Sequence, residues 1–375
     1  MLKGIYLTLF IGPMIPVPAL PEVTNALISA QVNTGGERSG FQLVFSLNKK
    51  STLQSTLLPA GYFDPMITRV ILVCTLGGIP NVLIDGVITR HEIAMHNEAG
   101  MSTLTITGED LTVLMDVVQL PLIRYPCMPI VARLYTLLSK YAVLGIAPIV
   151  IPELFMDVPI PTDKIPTQTV TDLAYIKQMA ELTGYIFFQE PGPAPGTSIF
   201  YFGPDVRIPI PQPALTVNMD ANTNVESLNF SLNGLAKKVI VVTIMDPITN
   251  KIPIPIPVPN ISILRPPLGA RLTLPSKIEF PTDSTKLNSI EAIGRALAKT
   301  ADSSDAITAT GTLNVLRYGQ VLRAHQLVGV RGAGTAYDGL YYVRTVTHNL
   351  KRGEFKQSFT LSRDGLISQT PVVPV

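Results

Sequence analysis

Two histidines and a glutamate come close together in His91-Glu92-Ile93-Ala94-Met95-His96, the stretch whose residue types come nearest to a metal site. A zinc-binding His-Glu-x-x-His motif places two imidazoles one helical turn apart on the same face of a helix. Here the spacing is one residue longer, so the two side chains would diverge on a helix. The alternating residues around them favour a strand instead. The sequence therefore predicts no metal site at this stretch.

The other polar residues match no catalytic pattern. The glycines of Gly329-x-x-Gly332-x-Gly334 lack the order of a dinucleotide-binding loop and no helix is predicted after them, so we interpret them as a turn. No serine or cysteine lies in a nucleophile elbow. We interpret His325 and His348 as surface or interface residues on strands. The sequence therefore predicts no catalytic residues, no cofactor and no metal.

The composition of the chain is apolar for a protein of its length. Of its 375 residues, 46% are hydrophobic and only 15% are charged, against about 25% charged in an average globular chain. So few charges favour a protein that hides much of its surface in an assembly. No run of about 20 apolar residues is free of prolines or polar breaks, so no membrane span is predicted. The net charge of +2 comes from scattered residues and predicts no nucleic-acid recognition.

Two features of the apolar regions have alternative interpretations. Cys74 and Cys127 could pair, but buried free thiols are favoured, as in a reducing compartment. The N-terminal run after Lys3 has the charge and apolar character of a weak signal peptide. A first strand through Tyr6, Thr8 and Phe10 is favoured, because prolines follow at once and no cleavage site stands out.

Antiparallel strands are predicted from the N-terminus to residue 110. Apolar and polar residues alternate over 41–47 and 102–107, as expected for strands with one buried face. A dense apolar strand at 68–75 is closed by Gly77-Gly78, and another at 82–89 has a turn or bulge at Asp85-Gly86. These strands predict a small antiparallel barrel or sandwich over 1–110.

The hydrophobic period changes after residue 110 and predicts an α+β insert over 111–205. A short helix should begin near Leu111, and a stronger one should run from Pro129 to Leu144 and end at Gly145. A further helix, capped by Thr171 or Asp172, should end at Gly184. A hairpin then follows, with strands at 185–189 and 198–202.

A second strand-rich domain is predicted over 206–375, with two interruptions. The first is a proline-rich arm at 252–267, where alternating prolines fix an extended path. This arm is either a surface connector or a strap across a neighbouring subunit, with Ile254, Ile256 and Val258 as candidate interface residues. The second interruption is a helix within 285–302, predicted from Lys286 to Thr300.

A closing hairpin near the C-terminus separates an apolar face from a wettable one. On its return strand Phe355, Phe359 and Leu361 should point into a core. The polar set on the opposite face is Lys356, Ser358, Thr360 and Ser362. Because a hairpin is not stable alone, it needs further strands or a partner chain. Lys356, Ser358 and Thr360 are therefore candidate interface or lumen residues.

An ordered set of motifs lies at 6–13, 39–46, 85–89, 104–111, 171–176, 184–185, 315–319, 339–343 and 351–363. Together these motifs resemble the phage late control gene D family, the baseplate hub proteins of contractile phage tails and phage-like contractile injection systems. The hub half of the type VI secretion spike protein is related. The resemblance covers nearly the whole chain, and although each motif is weak alone, the order is fairly specific.

The resemblance implies a mainly β chain with two tube-like antiparallel β-barrels and an α+β insert. Three such chains would form a pseudo-six-fold ring that adapts a six-fold inner tube to a three-fold spike. The expected partners are two further copies of the chain, a separate trimeric spike protein, the inner tube or tube-initiator protein and other baseplate proteins. Tape-measure or cargo proteins are further candidates. The spike is expected to be separate because the sequence stops at Val375, shortly after the closing hairpin.

Two other functional classes remain as alternatives. A baseplate-associated cell-wall hydrolase would need a carboxylate pair or a Cys-His set, and the sequence shows no recognisable pattern of either kind. A secreted carbohydrate-binding β protein would be expected to expose clustered aromatics, and the absence of tryptophan argues against it. We expect assembly in the bacterial cytoplasm, within a phage tail, an extracellular injection system or a membrane-anchored one.

Overall fold

The computed structural model describes residues 4–48, 51–98, 101–119, 121–153, 159–160, 162, 165–207, 210–245, 253–258, 266–279 and 305–370. Of residues 240, 242–245 and 253–258 it describes the backbone alone. The helix predicted at 286–300 and much of the proline-rich arm lie outside the described residues. No helix within the described ranges is long and apolar enough to cross a membrane.

Strands fill most of the first 110 residues, as the alternating pattern predicts. The N-terminal run is a strand, which confirms the favoured interpretation, and a π-helical turn spans Leu53–Leu57. Asp85 and Gly86 lie within one continuous strand and pair regularly, so the predicted turn or bulge is wrong at these two residues; the register shifts of this strand lie at 82–84 and 88–90. The elements are β1 (Ile5–Gly12), β2 (Val17–Pro18), α1 (Pro21–Ala26), β3 (Leu27–Thr34), β4 (Gly40–Ser46), β5 (Arg69–Leu76), β6 (Ile79–Ala94) and β7 (Thr103–Asp110).

The predicted insert has its own hydrophobic core, in which Leu134, Leu137 and Ile176 are buried. Thr171 accepts a hydrogen bond from the amide of Ala174 and caps a helix that Gly184 ends, as predicted. The helix predicted over 129–144 is α-helical only in its first part. The elements are a 3₁₀ turn (Leu111–Asp116), β8 (Ile123–Arg124), α2 (Ile130–Leu138), a 3₁₀ turn (Ser139–Leu144), β9 (Ile146–Val150), β10 (Thr167–Gln168), α3 (Asp172–Thr183), β11 (Ile186–Pro191) and β12 (Ser198–Gly203).

The remaining residues are again mainly strands. They comprise β13 (Gln212–Thr216), a 3₁₀ turn (Asp220–Asn222), β14 (Val225–Leu232), β15 (Lys238–Met245), β16 (Pro253–Val258), β17 (Gly269–Leu272), β18 (Lys277–Glu279), β19 (Ile307–Asn314), α4 (Val315–Tyr318), β20 (Leu327–Arg331), β21 (Gly339–Lys351), β22 (Glu354–Arg363) and β23 (Gly365–Ser368). The prediction of a mainly β chain with an α+β insert is confirmed.

One 13-stranded sheet joins the N-terminal and C-terminal strands. Its order is β14-β19-β22-β21-β3-β4-β7-β6-β5-β1-β2, with β20 on β21 and β13 on β20. The connection is the antiparallel pair β3–β21, in which Val32 lies opposite His348. A single core covers one face of this sheet and contains Phe45, Val346 and Phe359. The strands from both ends of the chain are therefore packed as one body.

The proline-rich arm contributes a strand at a sheet edge. The backbone of β16 pairs antiparallel with β15, and β15 pairs with β18 on its other side. Residues 254, 256 and 258 have backbone N–H groups, whereas Pro253, Pro255 and Pro257 have none. Because donors alternate sides along a strand, only one edge of β16 can pair fully. The arm is thus an edge strand as well as an extended segment.

Candidate functional site

The candidate metal motif is on a strand, as predicted. His91 lies in β6, and its Nδ1 atom is 3.2 Å from the carbonyl oxygen of Phe63. Glu92 forms an exposed ion pair with Arg90, and His96 lies beyond the end of the strand. In the part of the chain that the structure describes, no three His, Cys, Asp or Glu side chains could hold a metal ion.

The interpretation of His348 as a surface or interface residue is wrong. Its side chain is buried, and its Nδ1 accepts a hydrogen bond of 3.0 Å from Gln357 Nε2. Burial lowers the pKa of His348 to about 3. His325 stacks on Phe188 of the insert with ring centroids 3.9 Å apart, and burial lowers its pKa to about 4. Both imidazoles are therefore neutral packing groups near neutral pH.

The closing hairpin is formed by β21 and β22, and its apolar residues lie on the buried face, as predicted. Phe355, Phe359 and Leu361 are all buried. Lys356, Ser358 and Thr360 lie half-exposed on the opposite face. Ser362 departs from the pattern, because it is fully buried and donates a hydrogen bond of 2.7 Å to Asp305.

The charge of Lys356 is balanced by two carboxylates. Its Nζ atom is 2.9 Å from Glu354 and 3.1 Å from Glu226 on the neighbouring part of the sheet. The hydrogen bonds to Glu354 and Glu226 raise the pKa of Lys356. The candidate lumen residue thus presents a paired charge rather than an isolated one.

Lys356, Ser358 and Thr360 belong to a polar face that crosses eight neighbouring strands of the 13-stranded sheet. Along β4, β7 and β22 its residues alternate with buried ones. They are mostly hydroxyls and amides, with Arg90 at one end paired to Glu92. One row of directly opposed residues runs Asn314, Lys356, Asn349, Gln31, Gln42, Thr107 and Arg90. The next row runs Ser227, Thr312, Ser358, Thr347 and Asn33.

This polar face spans the neighbouring strands from β14 to β6 in the sheet order. Both of its ends are open among the described residues. Of the described strands, β14 pairs only with β19. β6 pairs with β5 through residues 79–87 and with β7 through residues 86–94, so the outer edge of residues 89–94 faces no described strand. Open strand edges are templates for pairing with another chain.

A buried ion pair that sequence reasoning missed holds the insert against the first strands. Arg69 donates two hydrogen bonds of 2.7 Å to the two carboxylate oxygens of Asp85. It also donates to the carbonyl oxygens of Leu144 at 2.9 Å and Met14 at 3.2 Å. Burial raises the pKa of Asp85, and the hydrogen bonds from Arg69 oppose that rise. The available signal was a single charge within each of two apolar strands.

The two cysteines differ in environment. Cys74 is buried, and burial raises the pKa of its thiol to about 11. Cys127 is exposed, so the prediction of burial is wrong for this residue. Both are free thiols.

The fold is that of phage tail proteins. No protein-family profile matches the sequence, and no match was found among curated proteins. Among solved structures, a tail protein from Neisseria meningitidis MC58 superposes with a TM-score of 0.65 and 14% identity, covering 97% of this chain and 98% of that chain. The 43 kDa tail protein of prophage MuSo2 from Shewanella oneidensis gives 0.63 and 12%, with 97% and 100% covered.

The likeness extends to secretion systems. The Escherichia coli c3393 protein, a type VI secretion component structurally similar to the T4 tail proteins gp27 and gp5, gives a TM-score of 0.52 and 11% identity. It covers 93% of this chain and 76% of that chain. At such low identities these likenesses establish a shared fold and nothing about partners.

Proposed function

We propose that this chain is the structural baseplate hub of a phage tail or contractile injection system, of the kind found in the late control gene D family. The observation that carries the proposal is the polar face with an open strand edge at each end. The tail-protein fold supports it. In this role the chain is a scaffold rather than an enzyme.

The two open edges would allow ring formation. The free edge of β14 and the free edge of β6 lie at opposite ends of one polar face. Pairing β14 of one copy with β6 of the next is a head-to-tail contact, which closes into a ring when the rotation permits. Each copy adds eight neighbouring strands, β14 to β6 in the sheet order. We infer a trimer, in which two strand-rich halves per chain give six similar units around one channel.

The proposed domains are 1–110 and 206–375 for the two tube-like barrels and 111–205 for the insert. Two halves per chain would let the ring meet a six-fold inner tube on one side and a three-fold spike on the other. The arm that contains Ile254, Ile256 and Val258 would lie on a neighbouring subunit.

We infer that the polar face with Lys356, Ser358 and Thr360 lines the channel. Two of its charges are paired locally, since Lys356 contacts two glutamates and Arg90 contacts Glu92. Hydroxyls and amides with paired charges make a wettable surface with little net field. Such a surface would let tape-measure or cargo proteins pass without strong attraction.

The proposed partners are a trimeric spike protein, the inner tube or tube-initiator protein and other baseplate proteins. Assembly would take place in the bacterial cytoplasm, before the particle is released or anchored to a membrane. These assignments rest on the tail-protein fold and on the hub role proposed above.

A crosslinking experiment tests the ring. Asn229 lies on β14 and Ala94 lies on the open part of β6. The double variant Asn229→Cys with Ala94→Cys, in a Cys127→Ser background, is treated with a short thiol-specific crosslinker. We expect a covalent series that ends at three chains, and no series from either single variant. Light scattering should give a three-chain mass, alone or with the spike protein.

Three results would contradict the hub assignment. The first is a chain that stays monomeric even with spike and tube proteins present. The second is a crosslinked series that ends at two chains, which would mean a two-fold contact instead of a ring. The third is a series that continues far beyond three chains, which would mean an open filament.

A further inference from the structure

A groove of about 370 Å³ opens between β1 and the tip of the β21–β22 hairpin. Its lining is largely apolar and includes Ile5 and Leu7 on β1 and Leu27 on β3. Two further lining residues, Ile28 and Leu316, are 44% and 46% exposed. Large apolar side chains that are exposed together in a concave surface are typical of a binding site.

Among the described strands, the wall formed by β1 is an open strand edge. β1 pairs with β5 along its whole length, but on the other side the described part of the chain covers only Phe10 and Ile11, through β2. The carbonyl of Leu9 points to that other side, because it accepts a hydrogen bond from Ala19.

Backbone groups alternate sides along an antiparallel strand, so the N–H and C=O groups of Ile5 and Leu7 point to the same side as those of Leu9. None of the described residues forms a backbone hydrogen bond with them. The groove therefore offers unpaired backbone groups beside apolar side chains.

The mouth of the groove carries an excess of positive charge. Lys351, Arg352 and Glu354 line it at the hairpin tip. Glu354 is engaged by Lys356, and Arg352 donates to the backbone carbonyl of Asn25. Lys351 forms no ion pair within the described part of the chain. A carboxylate on a bound segment would therefore complement Lys351.

We propose that this groove binds an extended peptide segment of a partner protein by strand addition to β1. The segment would present alternate apolar side chains to the groove and a carboxylate to Lys351. Main-chain hydrogen bonds would supply the affinity, and the apolar and charged contacts would supply the specificity. This inference goes beyond the hub role, because it requires no ring.

The groove lies at the end of β1 that is remote from the insert. Ile5 pairs with Leu76 at the groove end, whereas Gly12 pairs with Arg69 at the other end. Arg69 contacts the insert through Leu144. A segment bound in the groove would thus come from a protein that meets the rim opposite to the insert.

A defined peptide tests the proposal on the purified full chain. The probe is acetyl-Thr-Val-Thr-Val-Thr-Val-Asp-amide at about 1 mM, and the readout is hydrogen exchange at the amides of Ile5 and Leu7. We expect the peptide to slow both amides by at least about tenfold. The same peptide with lysine in place of aspartate should bind at least about tenfold more weakly.

Matched variants separate the backbone contact from the charge contact. Leu7→Pro removes the outward N–H and should abolish protection at Ile5, whereas Leu7→Val keeps the N–H and should preserve it. Lys351→Glu should reverse the preference, so that the lysine peptide binds better than the aspartate peptide. The Lys351→Glu variant therefore tests the proposal even if Leu7→Pro fails to fold.

Two results would overturn the proposal. One is slow exchange at Ile5 and Leu7 in the purified chain, since the edge would then already be paired. The other is no protection by the aspartate peptide, or equal protection by both peptides in the native chain. Neither result bears on ring formation, which the crosslinking experiment tests separately.

Discussion

Replacing Asp85 by asparagine removes the charge that balances Arg69 in the contact between the first strands and the insert. The two side chains are only 0% and 6% exposed, and two hydrogen bonds of 2.7 Å join them. Breaking a buried ion pair typically costs about 3–5 kcal/mol, because the remaining charge is left uncompensated. Arg69 keeps its contacts to Leu144 and Met14, so we expect the lower end, about 3 kcal/mol.

The assay is urea unfolding followed by circular dichroism, with limited proteolysis of the insert as a second readout. Glu92→Gln is the matched control, because it breaks the exposed Arg90–Glu92 pair on the same strand, β6. That pair should contribute less than about 0.5 kcal/mol. Asp85→Asn should also speed cleavage within the insert, since Arg69 contacts the insert through Leu144.

A double variant completes the test. Arg69→Met with Asp85→Leu removes both charges and should cost less than the sum of the two single variants, because no uncompensated charge remains. Equal losses from Asp85→Asn and Glu92→Gln would refute the reasoning. So would a double variant whose loss equals the sum of the single losses.

The remaining predictions concern the hairpin and pH. Phe359→Ala should lower the free energy of unfolding by about 3–5 kcal/mol, because it empties a buried aromatic site. Lys356→Ala should leave the melting temperature nearly unchanged. If Lys356→Ala lowered stability more than Phe359→Ala, the assignment of the buried and exposed faces of the hairpin would be wrong. Because burial depresses the pKa of His348 to about 3, stability should fall as pH drops from about 6.5 towards 3. His348→Gln should remove part of this acid loss. Asp110 should show the opposite trend, because burial raises its pKa to about 6, but this contribution is the same in both proteins. A difference in unfolding free energy between wild type and His348→Gln that does not change with pH would contradict the prediction.

Local pattern was enough for most of the strands and for one capped helix. Residues with a period of two predict the strands, and the cap at Thr171 and the stop at Gly184 predict a helix that the structure contains. The apolar side of the hairpin was also readable, since Phe355, Phe359 and Leu361 alternate with polar residues. These features depend on neighbours within a few positions, which a single sequence displays directly.

Only the tertiary structure decided which strands meet and which polar groups are enclosed. The pairing of β3 with β21 joins residues that are more than 300 positions apart, and no local period encodes it. The burial of His348 and Ser362, and that of the Arg69–Asp85 pair under the insert, likewise depend on segments that are distant in the sequence. Alternation tells which residues share a face of a strand. What covers that face depends on distant segments of the chain.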